Sequence, residues 1–160
     1  MNNKRVTDRI TIEGAKLIFK NFAGEEGEYN RKGDRNFCVI IEDEEMANKL
    51  RADGWNVKTS KPKSEDYEPF HYMKVNVRFD KVPPTIVQIS NGRKRNLSED
   101  MINILDWAEI KNADLIISPY NHDKGVSAYL RALYVTIVTD DLADKYADIP
   151  DSAADSVEFD

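Results

Sequence analysis

The clearest pattern of apolar and polar positions lies between residues 72 and 79, where apolar residues recur at every second place. Successive side chains of a β-strand point to opposite faces of its sheet, so this alternation predicts a strand with one buried face. The positions that we expect to face the core are Met73, Val75, Val77 and Phe79. The positions that we expect to face outward are Tyr72, Lys74, Asn76 and Arg78.

Other apolar stretches predict the remaining strands. They span residues 10–19 (with a bend at Gly14), 35–42, 85–90, 113–119 and 127–138. Asn91-Gly92, directly after the third stretch, favours a tight hairpin turn, and residues 121–125 have the length and composition of another. The segment 21–33 is rich in turn-forming residues, which predicts a loop, and the polar, lysine-bearing segment 55–69 predicts a strand end that runs into a mobile loop.

Two short helices are predicted between the strands. Asp43 can cap the first helix, and Gly54 follows its end. Ser98 can cap the second helix. The side chains that we expect on the core are Met46, Ala47 and Leu50 in the first helix and Met101, Ile104, Leu105 and Ala108 in the second.

The order of these elements is roughly β-β-α-β-β-α-β-β. Two helices are too few to cover both faces of a parallel sheet, so we expect a mostly antiparallel, curved sheet. A partly open barrel of the OB type is the simplest architecture that accommodates such strands in a chain of this length. We therefore predict a mainly β domain with two short helices over residues 1–139 and a largely disordered acidic tail over residues 140–160.

The net charge of −6 conceals two regions of opposite character. Residues 140–160 hold eight acids and one lysine, a net charge of −7, which leaves +1 for residues 1–139. Within the domain, residues 55–95 hold nine Lys or Arg and four Asp or Glu, a net charge of +5. Such a basic region favours contact with phosphates, and a tethered acidic tail would compete with nucleic acid for the same cations.

Catalytic, metal and cofactor motifs are absent from the sequence. His71 and His122 are the only histidines, and neither has a second metal ligand at a recognised spacing. The glycines fit neither a dinucleotide-binding nor a phosphate-binding loop, and no serine lies in a nucleophile-elbow pattern. We therefore expect a protein that is not an enzyme and that uses neither a metal nor a cofactor.

Cysteine usage and hydropathy favour a reducing intracellular setting. Cys38 is the only cysteine and lies in an apolar run, so we expect it to be buried and unpaired. No window approaches the roughly 18 apolar residues that a membrane helix needs. The polar N-terminus lacks an apolar signal region. We expect a cytoplasmic protein without membrane association, in the host cytoplasm if it is viral.

Four basic segments interleaved with aromatic residues form the candidate binding site. On a small curved sheet, single-stranded nucleic acid lies on an outward strand face, with cations along its phosphates and rings stacked on its bases. The expected contacts are Tyr29, Arg31, Lys32, Arg35, Trp55, Lys58, Lys61, Lys63, Tyr72, Lys74, Arg78, Arg93, Lys94 and Arg95. Each basic run also fits an ordinary solvated surface, and Trp55 and Trp107 also fit packing at the helix borders. Tyr129 and Tyr134 are expected to be at least half buried.

The chain resembles the OB-fold single-stranded DNA-binding proteins encoded by bacteriophages. The resemblance lies in the stretches Gly27–Phe37 and Ile104–Ile110 and in a basic β-rich domain that ends in an acidic tail with a near-terminal Phe. It runs from about Ile10 to Tyr146. It implies cooperative, sequence-independent binding of single-stranded DNA in replication and recombination, and it is compatible with a homo-oligomer.

The resemblance also implies that the tail recruits replication or recombination proteins. The tail residues expected to bind such partners are Asp148, Asp151, Asp155, Glu158, Phe159 and Asp160. Asp148-Ile149-Pro150 resembles the motif before the terminal Phe of bacterial single-strand binders, but here Asp151 follows it and Phe159 is penultimate. The main alternative is a phage interaction protein that inhibits a host nucleic-acid enzyme by mimicking DNA with its acids. A nuclease is a third, less favoured interpretation.

Overall fold

The computed structural model describes residues 5–138, so the predicted acidic tail lies outside the described residues. Within this range the chain forms nine strands, one α-helix and one 3₁₀ helix. In chain order these are β1 (Ile10–Ile12), β2 (Leu17–Asn21), β3 (Arg35–Ile41), α1 (Glu44–Ala52), β4 (Val57–Thr59), β5 (His71–Val77), β6 (Thr85–Ser90), β7 (Arg93–Asn96), the 3₁₀ helix (Ile102–Asp106), β8 (Ile110–His122) and β9 (Gly125–Ile137).

The strands form one mixed sheet with the order β1-β8-β9-β5-β3-β2. Neighbours along this path are antiparallel except β5 and β9, which are parallel. The two ends of the path, β1 and β2, are consecutive in the chain, so one segment lies at both edges of the curved sheet. This arrangement confirms the predicted mainly β, OB-like barrel that is mostly antiparallel and partly open.

The first predicted strand, residues 10–19, is divided into two strands at Gly14. This glycine has a φ of 62°, a left-handed value that interrupts an extended strand. The residues before the break form β1 and pair with β8, whereas those after it form β2 and pair with β3. The amide of Ala15 donates to the carbonyl of Ala113, 2.7 Å away, and the amide of Ile40 donates to the carbonyl of Lys16, 3.0 Å away. The break therefore lets one segment bond to both edges.

The β6–β7 hairpin lies beside this strand path. Strand β6 runs parallel to the second half of β9, and Ile89 lies opposite Thr136 of β9 and Lys94 of β7. The predicted turn is confirmed, because Asn91 and Gly92 have φ values of 54° and 81°, as a two-residue hairpin turn requires. Strand β7 itself was not predicted, because its residues are all polar and exposed.

The buried face predicted for the alternating segment is confirmed in β5. Met73, Val75 and Val77 are buried and Lys74 is exposed, while Phe79 packs partly buried against the core. The largest fully buried side chains of the described residues are Phe22, Phe37, Met73, Ile86, Ile102, Leu105, Leu115, Ile117 and Leu133. Because they come from both halves of the chain, the core is continuous inside the barrel.

The first predicted helix is confirmed as α1. Its N-cap is Asp43, whose carboxylate accepts a hydrogen bond from the amide of Glu45, 3.0 Å away. Ala47 and Leu50 are buried against the barrel, as predicted, and Met46 is partly buried. The helix therefore packs against the core and not on the outward side of the sheet.

The second predicted helix is a 3₁₀ helix, and its predicted cap and core-facing stripe are wrong in part. Met101, not Ser98, is the N-cap residue, and no side chain caps the helix. With three residues per turn, side chains three apart share a face, so Ile102 and Leu105 are both buried. Ile104, which an α-helical spacing would place on the core, is 38% exposed.

Candidate nucleic-acid interface

The outward side chains of β3, β4 and β5 form a surface that we call the outer face. On β5, Tyr72 and Lys74 point away from the core, and the register places Lys58 of β4 opposite Tyr72. Cys38 of β3 lies opposite Lys74. The pKa of the Cys38 thiol is raised by burial, and the charges of Lys58 and Lys74 act in the opposite direction. Lys58 and Lys74 are both exposed, so the outer face is basic.

Three aromatic rings, Phe19, Phe70 and Tyr72, lie at one end of the outer face; we call them the Tyr72 group. The ring of Tyr72 is 5.8 Å, centroid to centroid, from Phe19 in an edge-on contact and 5.8 Å from Phe70 in a tilted one. Phe19 has a φ of 50°, is 65% exposed and lies where the register between β2 and β3 shifts. A bulge of this kind re-aims a side chain, here onto the outer face beside Tyr72.

A second set of rings lies at the β8–β9 hairpin; we call Tyr120, His122 and Tyr129 the Tyr120 group. The rings of Tyr120 and Tyr129 are stacked, with centroids 5.3 Å apart and an interplanar angle of 1°. The Nζ of Lys81 lies 5.8 Å from the centroid of the Tyr120 ring. Tyr129 is opposite Asn76 of β5, so the Tyr120 group adjoins the outer face directly.

Arg78 also lies at this end of the outer face, but it is paired with an acid. Its Nη2 is 2.6 Å from the Oδ2 of Asp80. The hydrogen bond from Arg78 lowers the pKa of the Asp80 carboxyl, and the same bond raises the pKa of the guanidinium. Both side chains are about half exposed, so Arg78 remains accessible to a phosphate that displaces Asp80.

The loop between β2 and β3, residues 22–34, leads into Arg35 of β3, which lies opposite Val77 at the end of β5; we call it the 22–34 loop. Tyr29 is 91% exposed at its tip, and Arg31 and Lys32 are exposed as well. The side-chain amide of Asn30 donates to the carbonyls of Glu25, Arg31 and Asp34 at 2.8–3.1 Å. The loop is therefore ordered by its own hydrogen bonds while it presents one ring and two cations to solvent.

The sequence also matches a known protein family. The model of the phage ssDNA-binding domain family matches residues 1–160. The chain belongs to this phage single-stranded DNA-binding family. No curated protein matches the chain significantly.

Solved structures of similar fold come from bacteriophage Enc34. The Enc34 single-stranded DNA-binding protein in complex with ssDNA is 9% identical, with a TM-score of 0.53 over 86% of this chain and 94% of that chain. A second structure of the Enc34 single-stranded DNA-binding protein is 11% identical, with a TM-score of 0.50 over 96% of this chain and 97% of that chain. At this identity the likeness concerns the fold.

Two of the residues predicted as DNA contacts in this phage ssDNA-binding domain are placed elsewhere by the structure. Trp55 is 3% exposed and belongs to the core, so no face of its ring is open to a base. Arg35 lies opposite the buried Val77, 3.6 Å from the carboxylate of Glu99, with its guanidinium 6.0 Å from the Phe79 ring centroid. The predicted Trp55 contact is wrong, because the sequence does not show which side chains beside a strand turn inward. The Arg35 side chain is 25% exposed, so its contact with DNA stays a prediction.

The remaining predicted cations lie in two regions, the β4–β5 loop and strand β7. Lys61 and Lys63 are exposed in the β4–β5 loop, whose two ends are joined by the bond from the Ser60 amide to the Phe70 carbonyl. They therefore lie close to the Tyr72 group. Arg93, Lys94 and Arg95 occupy β7, which is separated from Tyr129 by seven residues of β9, or roughly 20 Å.

Sequence reasoning missed several rings and one cation of this surface. Phe19, Tyr120 and Lys81 were not among the predicted contacts, and Tyr129, which is partly buried as predicted, was treated as packing. The alternation in β8, which leaves Tyr120 exposed, was the available signal. Trp107 is 84% exposed, so the packing interpretation is wrong for this residue and right for Trp55.

Residues 5–138 lack two features, a metal-binding cluster and a membrane-spanning helix. No group of three or more His, Cys, Asp or Glu side chains in this range is arranged to hold a metal ion. No helix in the same range is long and apolar enough to cross a membrane.

Proposed function

We propose that this chain binds single-stranded DNA without sequence preference by laying it across the outer face. The observation that carries the proposal is the arrangement of this surface. Lys74 lies on β5 between Tyr72 and Asn76, the residue that pairs with Tyr129, and Lys58 lies opposite Tyr72. Rings that stack on any base, with cations that follow the phosphates, are the features that sequence-tolerant single-strand binders use.

Each class of side chain has a separate part in the proposed binding. Cations neutralise phosphates and release counterions, so affinity should fall steeply with salt. The cations proposed for this part are Arg31, Lys32, Lys58, Lys61, Lys63, Lys74, Arg78 and Lys81. The rings proposed to stack on bases are Phe19, Tyr29, Tyr72, Tyr120 and Tyr129. Stacking of this kind contributes about 1–3 kcal/mol per base.

The comparisons support this proposal at two levels. Membership of the phage ssDNA-binding family supports single-stranded DNA as the ligand. The Enc34 protein of similar fold was solved in complex with ssDNA, which supports a barrel of this topology as a platform for that ligand. The basic strand β7 is proposed as an outlying contact that only longer DNA reaches.

We further propose that the protein acts in phage DNA replication or recombination in the host cytoplasm, as a binding protein and not an enzyme. The acidic tail, residues 140–160, would compete with DNA for the cations and recruit replication or recombination proteins through Phe159 and its neighbouring acids. Its net charge of −7 supports the competition, since the cations of the outer face are exposed or only partly buried. Self-association on DNA is proposed on the resemblance alone.

A titration of fluorescent oligo-dT at low and moderate salt tests the proposal. We expect binding at low salt, a marked loss of affinity at moderate salt, and a smaller salt slope in Lys74→Gln. Lys49→Gln is the matched control, because Lys49 is an exposed lysine on α1, away from the outer face. Absence of binding at low salt would overturn the proposal and would favour the DNA-mimic alternative.

A further inference from the structure

An acidic side chain holds the first two residues of the 22–34 loop, Phe22 and Ala23, which we call the root of the loop. The carboxylate of Asp106, at the end of the 3₁₀ helix, accepts hydrogen bonds from two consecutive backbone amides. Its Oδ1 is 2.7 Å from the amide nitrogen of Phe22 and its Oδ2 is 3.0 Å from that of Ala23. These are the first two amides after β2, so the bonds fix the direction in which the loop leaves the sheet.

A lysine makes the reciprocal connection. The Nζ of Lys20, on β2, donates to the carbonyls of Leu105 and Ala108, which are 2.8 and 3.2 Å away. Phe22 is fully buried and its ring stacks on that of Phe37 at 5.2 Å. The loop root is thus held by two charged side chains that cross between β2 and the 3₁₀ helix in opposite directions.

The rest of the loop would follow its root as a unit. The amide of Gly33 donates to the carbonyl of Gly24, 2.7 Å away, and closes the loop at its base. Gly24 has a φ of 70°, and a Cβ at this position would lie 3.0 Å from the carbonyl carbon of Gly33. The side chain of Asn36 donates to that of Asn30, 2.7 Å away, and ties the loop interior to β3. Displacing the root would therefore move Tyr29 together with the loop.

We infer that Asp106 is a positioning residue for DNA binding, which acts through the amides of Phe22 and Ala23 to set the 22–34 loop against the bound strand. The inference rests on the proposed function. It predicts a change of DNA affinity opposite in sign to the change that simple electrostatics predicts. Neutralising an acid on a DNA-binding protein normally tightens binding, because it removes repulsion of phosphates. Neutralising Asp106 should weaken binding, because Tyr29, Arg31 and Lys32 lose their fixed position.

The test compares Asp106→Asn with Glu28→Gln, which removes an exposed acid from the same loop without touching its root. In an oligo-dT titration at low salt we expect Asp106→Asn to bind about tenfold more weakly, the equivalent of one lost base stack. Glu28→Gln should bind as tightly as the wild type or slightly more tightly. Equal or tighter binding by Asp106→Asn, with wild-type binding intact, would overturn this inference alone. Failure of the wild type to bind would overturn the proposed function as well.

Two further variants separate positioning from general loss of stability. Ile117→Val trims a fully buried side chain of β8 and should lower the melting temperature without changing affinity. Gly24→Ala distorts the loop base without a change of charge and should weaken binding as Asp106→Asn does. In a double-mutant cycle, Arg31→Gln/Lys32→Gln should cost much less affinity in the Asp106→Asn background than in the wild type. Full additivity, or an affinity loss in Ile117→Val as large as that in Asp106→Asn, would contradict the inference.

Discussion

The outer face and strand β7 are both basic, yet they differ in what surrounds their cations. Strand β7 carries Arg93, Lys94 and Arg95 within four residues, a higher charge density than Lys58 and Lys74 provide. Strand β7 contributes no aromatic side chain of its own, whereas the outer face includes the Tyr72 group and adjoins the Tyr120 group. Charge attracts any polyanion, but rings beside the charge select a strand whose bases are unpaired. The comparison therefore favours the less charged surface as the primary site.

The largest effect is expected from Tyr72→Ala. This change removes the central ring of the Tyr72 group, so we expect oligo-dT to bind roughly ten- to a hundredfold more weakly at low salt. Tyr134→Ala is the control, because Tyr134 is also a partly exposed tyrosine but lies on the half of β9 that pairs with β6. Anisotropy titrations with a short oligonucleotide measure both. Similar losses in the two variants would contradict the distinction between the surfaces.

Deletion of residues 140–160 is expected to tighten binding by about tenfold at low salt, because the tethered acids no longer compete with DNA. The gain in affinity should shrink as salt rises, because salt screens the attraction between the acids of the tail and the exposed cations. Strand β9, which precedes the tail in the sequence, ends next to the β6–β7 hairpin, because its Thr136 lies opposite Ile89 of β6. The cations of β7 are therefore candidates for the tail, as are those of the outer face. Repeating the deletion in a Lys94→Gln and in a Lys74→Gln background shows which surface the tail covers. Unchanged or weaker binding after deletion would argue against competition altogether.

A moderate effect is expected from Lys74→Gln. Loss of one phosphate contact should weaken binding about fivefold at low salt and reduce the magnitude of the salt slope by about 0.7. Titrations at four or more salt concentrations give the slope directly. A change of affinity with no change of slope would mean that Lys74 acts through local structure and not through a phosphate.

The smallest effect is expected from the combined change of Arg93, Lys94 and Arg95 to Gln. With a short oligonucleotide that covers the outer face we expect less than about a twofold loss, because β7 lies roughly 20 Å from Tyr129 along the sheet. With a long oligonucleotide the loss should grow. A large loss with the short ligand would place the primary site on β7 and reverse the comparison.

The part of the site that could be predicted is the part that depends on local pattern. The two-residue period between residues 72 and 79 identified β5, its buried face and the outward positions of Tyr72 and Lys74. Spacing along the chain does not show which strands become neighbours, because register is set by contacts between distant segments. The stack of Tyr120 on Tyr129 and the contact of Phe19 with Tyr72 arise from such pairings.

Other differences have local causes that the sequence pattern leaves open. Met101, Ile104, Leu105 and Ala108 have the spacing of an α-helical stripe, but the tighter 3₁₀ helix buries Ile102 and Leu105 and exposes Ile104. Trp55 and Trp107 both border helices, yet one is buried and the other is 84% exposed. The overall architecture was nevertheless predictable, because it follows from the number and length of the apolar stretches and the scarcity of helices.

Ultraviolet cross-linking of the full chain to oligo-dT, with the linked peptides identified by mass spectrometry, tests most directly whether DNA lies across the outer face. We expect cross-links at the accessible rings of this surface, above all Tyr72, Phe19 and Tyr120, and we expect them to disappear at high salt. Cross-links confined to peptides of β7 or α1 would contradict the account, because they would place the bound strand on surfaces where the outer-face rings take no part.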